Sequence, residues 1–270
     1  MSRSLRWIAL AGLAAAIAIA GCQSVQTTRG GEVGVDRSQS MFISAAEVDA
    51  AAKTQYAQIL EEAQKKGTLN QDPATTARVR AIAQRLIPQT AVFRDDAPRW
   101  DWQVSVLTSA EVNAWCMPGG RIAVYTGLIE KLKITDEELA AVLGHEISHA
   151  LREHARESMS RQAVAGVGLS VFEILTGVPT GDFGQMLAQS MFVLPNSRQN
   201  EQEADRIGVE LAARAGYDPR AAVSLWNKML NLGGNQPPQW LSTHPSHESR
   251  IKDLEDYSQR VLPLYEQARR

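Results

Sequence analysis

Cysteine is nearly absent from this chain, which has two among 270 residues, Cys22 and Cys116. That scarcity excludes a disulfide framework and a four-cysteine metal site. An excess of one charge is absent as well. Lys+Arg 28 against Asp+Glu 30 leaves a net charge of −2. No basic run carries interleaved aromatics, so a nucleic-acid partner is not expected. No uninterrupted apolar run reaches the ~20 residues of a comfortable membrane span, and no internal repeat is visible. What remains is length enough for one good-sized domain or two small ones.

The first residues read as a targeting segment. Arg3 and Arg6 precede an apolar run from Trp7 to Ala20, which ends in Ile19-Ala20-Gly21-Cys22. This resembles the lipobox of bacterial lipoproteins, in which the cysteine is lipidated and becomes the new N-terminus. The expectation is a signal peptide over 1–21, with Cys22 as lipid anchor. Gln23 at the next position points to the outer membrane, facing the periplasm, by resemblance to the known sorting rule. Residues 22–43 are rich in Gln, Ser, Thr and Gly and show no hydrophobic period. They read as a flexible tether, leaving 44–270 as a single domain.

Inside that domain Ser44 to Glu47 has the spacing of a capping box and opens a helix that runs to about Lys66, before Gly67. Asp72-Pro73 starts a second helix, expected to end before Pro88. The period then changes to that of strands at Trp102 to Leu107, Asn113 to Met117 and Arg121 to Tyr125, with a Pro118-Gly119-Gly120 turn. A second capping box, Thr135 to Glu138, begins another helix. Residues 161–178 are unusually apolar, but Glu173 and several glycines argue for a buried or cleft-covering helical hairpin over about 157–195 rather than a span. Further helices follow over 196–215, 220–232 and from about 246 to the end. The fold class is α+β and mostly helical, with a small antiparallel or mixed sheet of about three strands.

The chemistry centres on His145-Glu146-Ile147-Ser148-His149. Positions i and i+4 share one helix face about 6 Å apart along the axis. Both imidazoles can therefore reach a single zinc ion, while Glu146 leans over its open side as a general base. A catalytic site needs a third protein ligand. Cys116 is a poor choice and reads as a small buried residue. His154 lies about 140° around an unbroken helix from His149, so a surface or capping role is expected for it. Glu201 and Asp205, at i and i+4, can supply a ligand and a brace. The residues alone do not rank Glu201 above Glu203.

Taken together, these pieces resemble peptidase family M48, the gluzincins that include the prenyl-protein (CaaX) proteases and the membrane heat-shock protease HtpX. The matching parts are Asn113-Ala114, Pro118-Gly119-Gly120, His145 to His149, Ser197-Arg198, Glu201 with Asp205, and Thr243-His244-Pro245 with Arg250. The resemblance implies a zincin-like domain with a single Zn2+ held by His145, His149 and Glu201. Asp205 corresponds to the partner of a zinc histidine. His244 and Arg250 are candidates for oxyanion stabilisation or gating, with His244 a possible fourth ligand in a closed form. A loop capping the last helix is their plain structural reading.

The implied activity is metal-assisted hydrolysis of peptide bonds in unfolded or misassembled envelope proteins, with the strand around Asn113 to Trp115 as a dock for extended peptide. A chaperone-like or scaffolding lipoprotein that binds clients with little cleavage is the alternative. The sequence does not specify an oligomeric state.

Overall fold

A computed structural model describes residues 23–167, 180–232, 238–245 and 248–270. Cys22 and the apolar run before it lie outside these residues. The described chain opens with β1 (Gln23–Val25), which pairs antiparallel with β2 (Gln39–Met41). Residues 23–43 are thus not a free tether but a strap folded onto the domain. Val33, Val35, Met41 and Ile43 are buried, as are Thr27, Thr28 and Gln39. Arg29 N–H donates to Phe93 O at 2.9 Å, and Val33 N–H to Glu210 Oε2 at 3.0 Å. The polar composition that suggests solvent instead supplies partners for buried charges, while a few isolated aliphatic residues provide the anchorage.

Next comes α1 (Ala45–Lys65), which buries Val48, Ala52 and Tyr56. Ser44 sits at its N-cap but makes no side-chain capping bond, so the helix start rests on burial and not on the expected box. In α2 (Pro73–Leu86), Asp72 accepts from the amides of Ala74 and Thr75. Pro88 does not stop the chain from turning, because it falls in the first turn of a 3₁₀ segment, Ile87–Val92, where no amide donor is needed. The strands β3 (Gln103–Leu107), β4 (Ala114–Met117) and β5 (Arg121–Tyr125) follow. Their order is β3-β5-β4, with β3 parallel and β4 antiparallel to β5. Asn70 covers the outer edge of β3 through two bonds with Val106. The other edge belongs to β4.

After α3 (Thr126–Leu132), the helix α4 (Asp136–Leu151) carries the His-Glu-x-x-His segment. Its capping box is formed, with Glu138 N–H donating to Thr135 Oγ1 at 3.2 Å and Thr135 N–H to Glu138 Oε2 at 2.8 Å. Every residue from Glu138 to Leu151 is buried, so this is the central helix. It stops at Leu151, and Glu153 adopts a left-handed φ of 51° before α5 (His154–Val167). Then α6 (Thr180–Phe192) packs on α5 and α1. The middle of the apolar stretch, 168–179, lies outside the described residues. No described helix is long and apolar enough to cross a membrane. The remainder is α7 (Arg198–Arg214), α8 (Ala221–Leu230), α9 (Gln239–Thr243) and α10 (Glu248–Ala268).

In the core α4 packs closely on α7. A Cβ added at Gly144 would lie 2.7 Å from Gly208 O, and one added at Gly208 would lie 2.8 Å from His145 N. Two glycines therefore let the helix backbones touch. A Gly208→Ala substitution forces backbone against backbone and is expected to cost ~1–3 kcal/mol. Urea unfolding measures that loss, and a stability equal to wild type would show that the helices can separate freely.

Candidate metal centre

His145 and His149 stand one turn apart on α4, and α7 crosses them with Glu201 and Asp205, also one turn apart. The turn after α9 adds His244. One donor atom from each of His145, His149, Glu201 and His244 lies within 4.8 Å of the others, and all four residues are buried. His145 Nε2 is 3.1 Å from His149 Nε2, 3.2 Å from His244 Nδ1 and 3.5 Å from Glu201 Oε2. Glu201 Oε1 is 3.4 Å from His149 Nε2 and 3.0 Å from His244 Nδ1.

These separations suit a tetrahedral cation. Bonds of ~2.0–2.1 Å imply a donor–donor edge of about 3.3–3.4 Å. The hydrogen bonding also calls for a cation. His145 Nδ1 lies 2.9 Å from Asp205 Oδ1 and donates to that carboxylate, which leaves a lone pair on Nε2 directed at the other donors. Among the described residues Glu201 Oε2 is buried without a hydrogen-bond partner. Arg250 Nη1 sits 2.7 Å from it as a charge, without hydrogen-bond alignment. Buried lone pairs converging in this way need a positive centre. Nitrogen and carboxylate donors in a tetrahedral set fit zinc, the ion that peptidases of the M48 type use.

Arg250 is buried with its guanidinium across Asp205. Nε and Nη2 donate to the two carboxylate oxygens at 2.7 and 2.8 Å, Nη1 donates to Pro245 O at 3.0 Å, and the group stacks 4.0 Å over Trp226. Burial pushes the Asp205 carboxyl up, yet Arg250 and His145 hold it below the ordinary carboxylate range. Glu201 is likewise held well down, with His244 and Arg250 outweighing burial. Glu146 goes the other way. Burial raises its carboxyl above the usual value against the pull of His244 and His149. Trp240 Nε1–H donates to Glu146 Oε1 at 2.7 Å, and His244 Nε2 is 3.5 Å from the same oxygen.

The cluster opens into a cleft lined by Asn113 to Cys116, Ser190 to Phe192 and Gln239. The space in it open to water is about 40 Å³, room for a few waters. The Cys116 thiol, pushed well up by burial, lines the cleft but stays outside the donor cluster.

His154 differs most from its expected place. It is buried, with Nδ1 2.8 Å from His149 Nδ1 and Nε2 3.2 Å from Glu203 Oε2. The extrapolated 140° fails because α4 ends at Leu151 and Glu153 reverses the chain. Burial pushes the His154 pKa down to about 4. Burial alone would raise Glu203, but His154 and Arg37 bring it to about 2. Glu203 therefore faces away from the donor cluster, toward His154, and Glu201 faces into it. Trp240, Arg152 and Arg37 carry no signal in the sequence, since nothing local marks an indole or an arginine as reaching across the fold.

Comparison with known proteins agrees with this geometry. The model of Peptidase family M48 matches residues 73–258. Mitochondrial metalloendopeptidase OMA1 of Arabidopsis thaliana is 40% identical over 154 residues, covering 57% of this chain and 31% of that protein. Metalloendopeptidase OMA1 of Bos taurus is 32% identical over 247 residues, 85% of this chain and 46% of its own length. The beta-barrel assembly-enhancing protease of Escherichia coli (strain K12) is 26% identical over 209 residues, 73% of this chain and 42% of the relative. The chain thus spans less than half the length of each of these relatives. With a family model matched across more than half of its residues, including the whole donor cluster, the chain belongs to peptidase family M48.

Proposed function

We propose that this chain is a zinc-dependent endopeptidase acting on unfolded or misassembled proteins of the cell envelope. The observation that carries the reading is the convergence of His145 Nε2, His149 Nε2 and a Glu201 carboxylate beside the separately held carboxylate of Glu146. A structural zinc site has no use for a poised carboxylate beside its ligands. Cell-envelope placement, with Cys22 lipidated after removal of 1–21 and the domain on the periplasmic face of the outer membrane, rests on the sequence of that segment. The beta-barrel assembly-enhancing protease among the relatives is consistent with quality control in an envelope.

His145, His149 and Glu201 would hold the zinc. When bound, zinc supplies Lewis acidity that lowers the pKa of an adjacent water toward neutrality. Glu146, with its carboxyl raised by burial, takes the proton as water attacks the scissile carbonyl, then passes it to the leaving amine. Trp240 fixes the Glu146 rotamer from the far side. Extended peptide would lie along β4, where main-chain bonds give little side-chain preference. His244 stands where the reacting carbonyl must come, so in this closed arrangement it takes the fourth donor position and has to yield on substrate entry. Arg250 acts as a positioning residue, because its guanidinium is committed to Asp205 and Glu201.

In a digest of unfolded casein, wild type is expected to cleave, and Glu146→Gln to lose ~10²–10⁴-fold in rate while keeping its zinc. Chelation should abolish cleavage in wild type. If no sample degrades casein while each still binds it, the scaffolding alternative wins. Arg250→Met strips the counter-charge from two buried carboxylates, and equilibrium unfolding should register a loss of ~3–5 kcal/mol. A loss below 1 kcal/mol would show that Arg250 does not hold the site.

A further inference from the structure

Two zinc-binding histidines imply two braces, and only one is a carboxylate in direct contact. Asp205 serves His145. On His149 the atom facing Nδ1 is His154 Nδ1, at 2.8 Å. If His149 Nε2 ligates, Nδ1 carries its proton and donates to the lone pair of His154 Nδ1. His154 Nε2–H then donates to Glu203 Oε2 at 3.2 Å. Every atom in this chain has a single consistent role.

Glu203 is itself locked from two directions. Arg152 Nε donates to Oε2 at 2.8 Å, and Arg37 Nε to Oε1 at 2.5 Å. Arg37 also donates to Glu157 Oε1 at 2.7 Å. Arg152 is fully buried, and its remaining donors go to Thr27 Oγ1, Thr28 Oγ1 and Arg37 O at 3.0, 3.1 and 2.9 Å. Three of the partners that fix Glu203 and Arg152 therefore come from the strap before Ser44.

We propose that His154 is the positioning residue of the zinc ligand His149, and that Glu203 with the strap residue Arg37 forms the outer shell that holds it. The inference rests on the zinc-peptidase reading. It assigns the strap a function, since a segment more than a hundred positions before His149 helps set the orientation of that ring. The Glu153 reversal has a purpose in the same scheme, because an unbroken α4 would carry His154 away from His149.

The test compares the full chain with His154→Ala, His154→Gln and Arg37→Gln. It reads zinc affinity by chelator competition, the visible spectrum of the Co2+-substituted protein, and the melting temperature of the metal-free form. Loss of a partner behind a metal-bound histidine is worth about 10–100-fold in affinity. His154→Ala should show that loss and a shifted cobalt spectrum. His154→Gln, whose amide oxygen can accept from His149 Nδ1–H, should recover most of both. Arg37→Gln should weaken zinc binding in the same direction, by less. Wild-type affinity and spectrum in His154→Ala would overturn the inference. So would affinity losses that merely follow the metal-free melting temperatures, with His154→Gln no better than His154→Ala. A wild-type chain that takes up no zinc would sink the peptidase reading and this inference together, which separates the two failures.

Discussion

Everything at this site depends on how closely two helices can approach. The donor atoms of His145, His149 and Glu201 come from α4 and α7, so their spacing follows from how these two helices pack. Gly144 and Gly208 remove the side chains that would keep the backbones apart. From that contact the other positions follow by helix geometry. Gly208, Asp205 and Glu201 occupy successive turns of one face of α7, while Gly144, His145, Ser148 and His149 occupy the facing surface of α4. Ser148 Oγ–H donates to Gly144 O at 2.6 Å, which satisfies a hydroxyl on this dry face within its own helix.

The buried charge around the cluster is arranged in alternating layers. Donors meet at the centre, carboxylates stand behind them, and arginines stand behind the carboxylates. Arg250 backs Asp205 and Glu201, while Arg152 and Arg37 back Glu203. A bare carboxylate in this interior would protonate rather than stay ionised, and the lowered pKa values of Glu201, Glu203 and Asp205 reflect the arginines and imidazoles beside them. Glu146 lacks an arginine among the main influences on its carboxyl.

Regular spacing made part of this legible in advance. The i, i+4 pairs His145/His149 and Glu201/Asp205 announce shared helix faces, and the Thr135 capping box and the strand–turn–strand around Gly119 are local signals read locally. The choice between Glu201 and Glu203 was not local. Two residues along a helix is about 200° of rotation, so one of them had to face away from the donors, but only the partner of α7 decides which. The place of His154 is not legible because a helical extrapolation assumes an unbroken helix, and Glu153 breaks it. The strap over 23–43 is not legible because composition cannot distinguish polar groups meant for water from those meant for Arg152 and Glu157. Trp240 reaches Glu146 across 94 positions, a separation at which local pattern holds no information.

The unequal anchoring of the four donors determines which part of the site can move. His145, His149 and Glu201 sit on two helices welded at the glycine contact, and the two histidines have second nitrogens tied to further groups. His244 belongs to neither helix. Among the described residues its Nδ1 has, besides the cluster itself, Asn196 Nδ2 at 3.5 Å, and its ring is stacked on Trp240 at 4.8 Å. Phe192, which also lines the cleft, meets Trp115 edge-on at 5.6 Å and is joined to α9 by a 3.5 Å bond from Gln239 Nε2 to its carbonyl. Around the cleft the cheapest contacts to break are these stacking and long polar ones rather than the charged braces. On the proposed reading, opening would fall to the His244 turn and the end of α6, which would leave His145, His149 and Glu201 as ligands and free the fourth position.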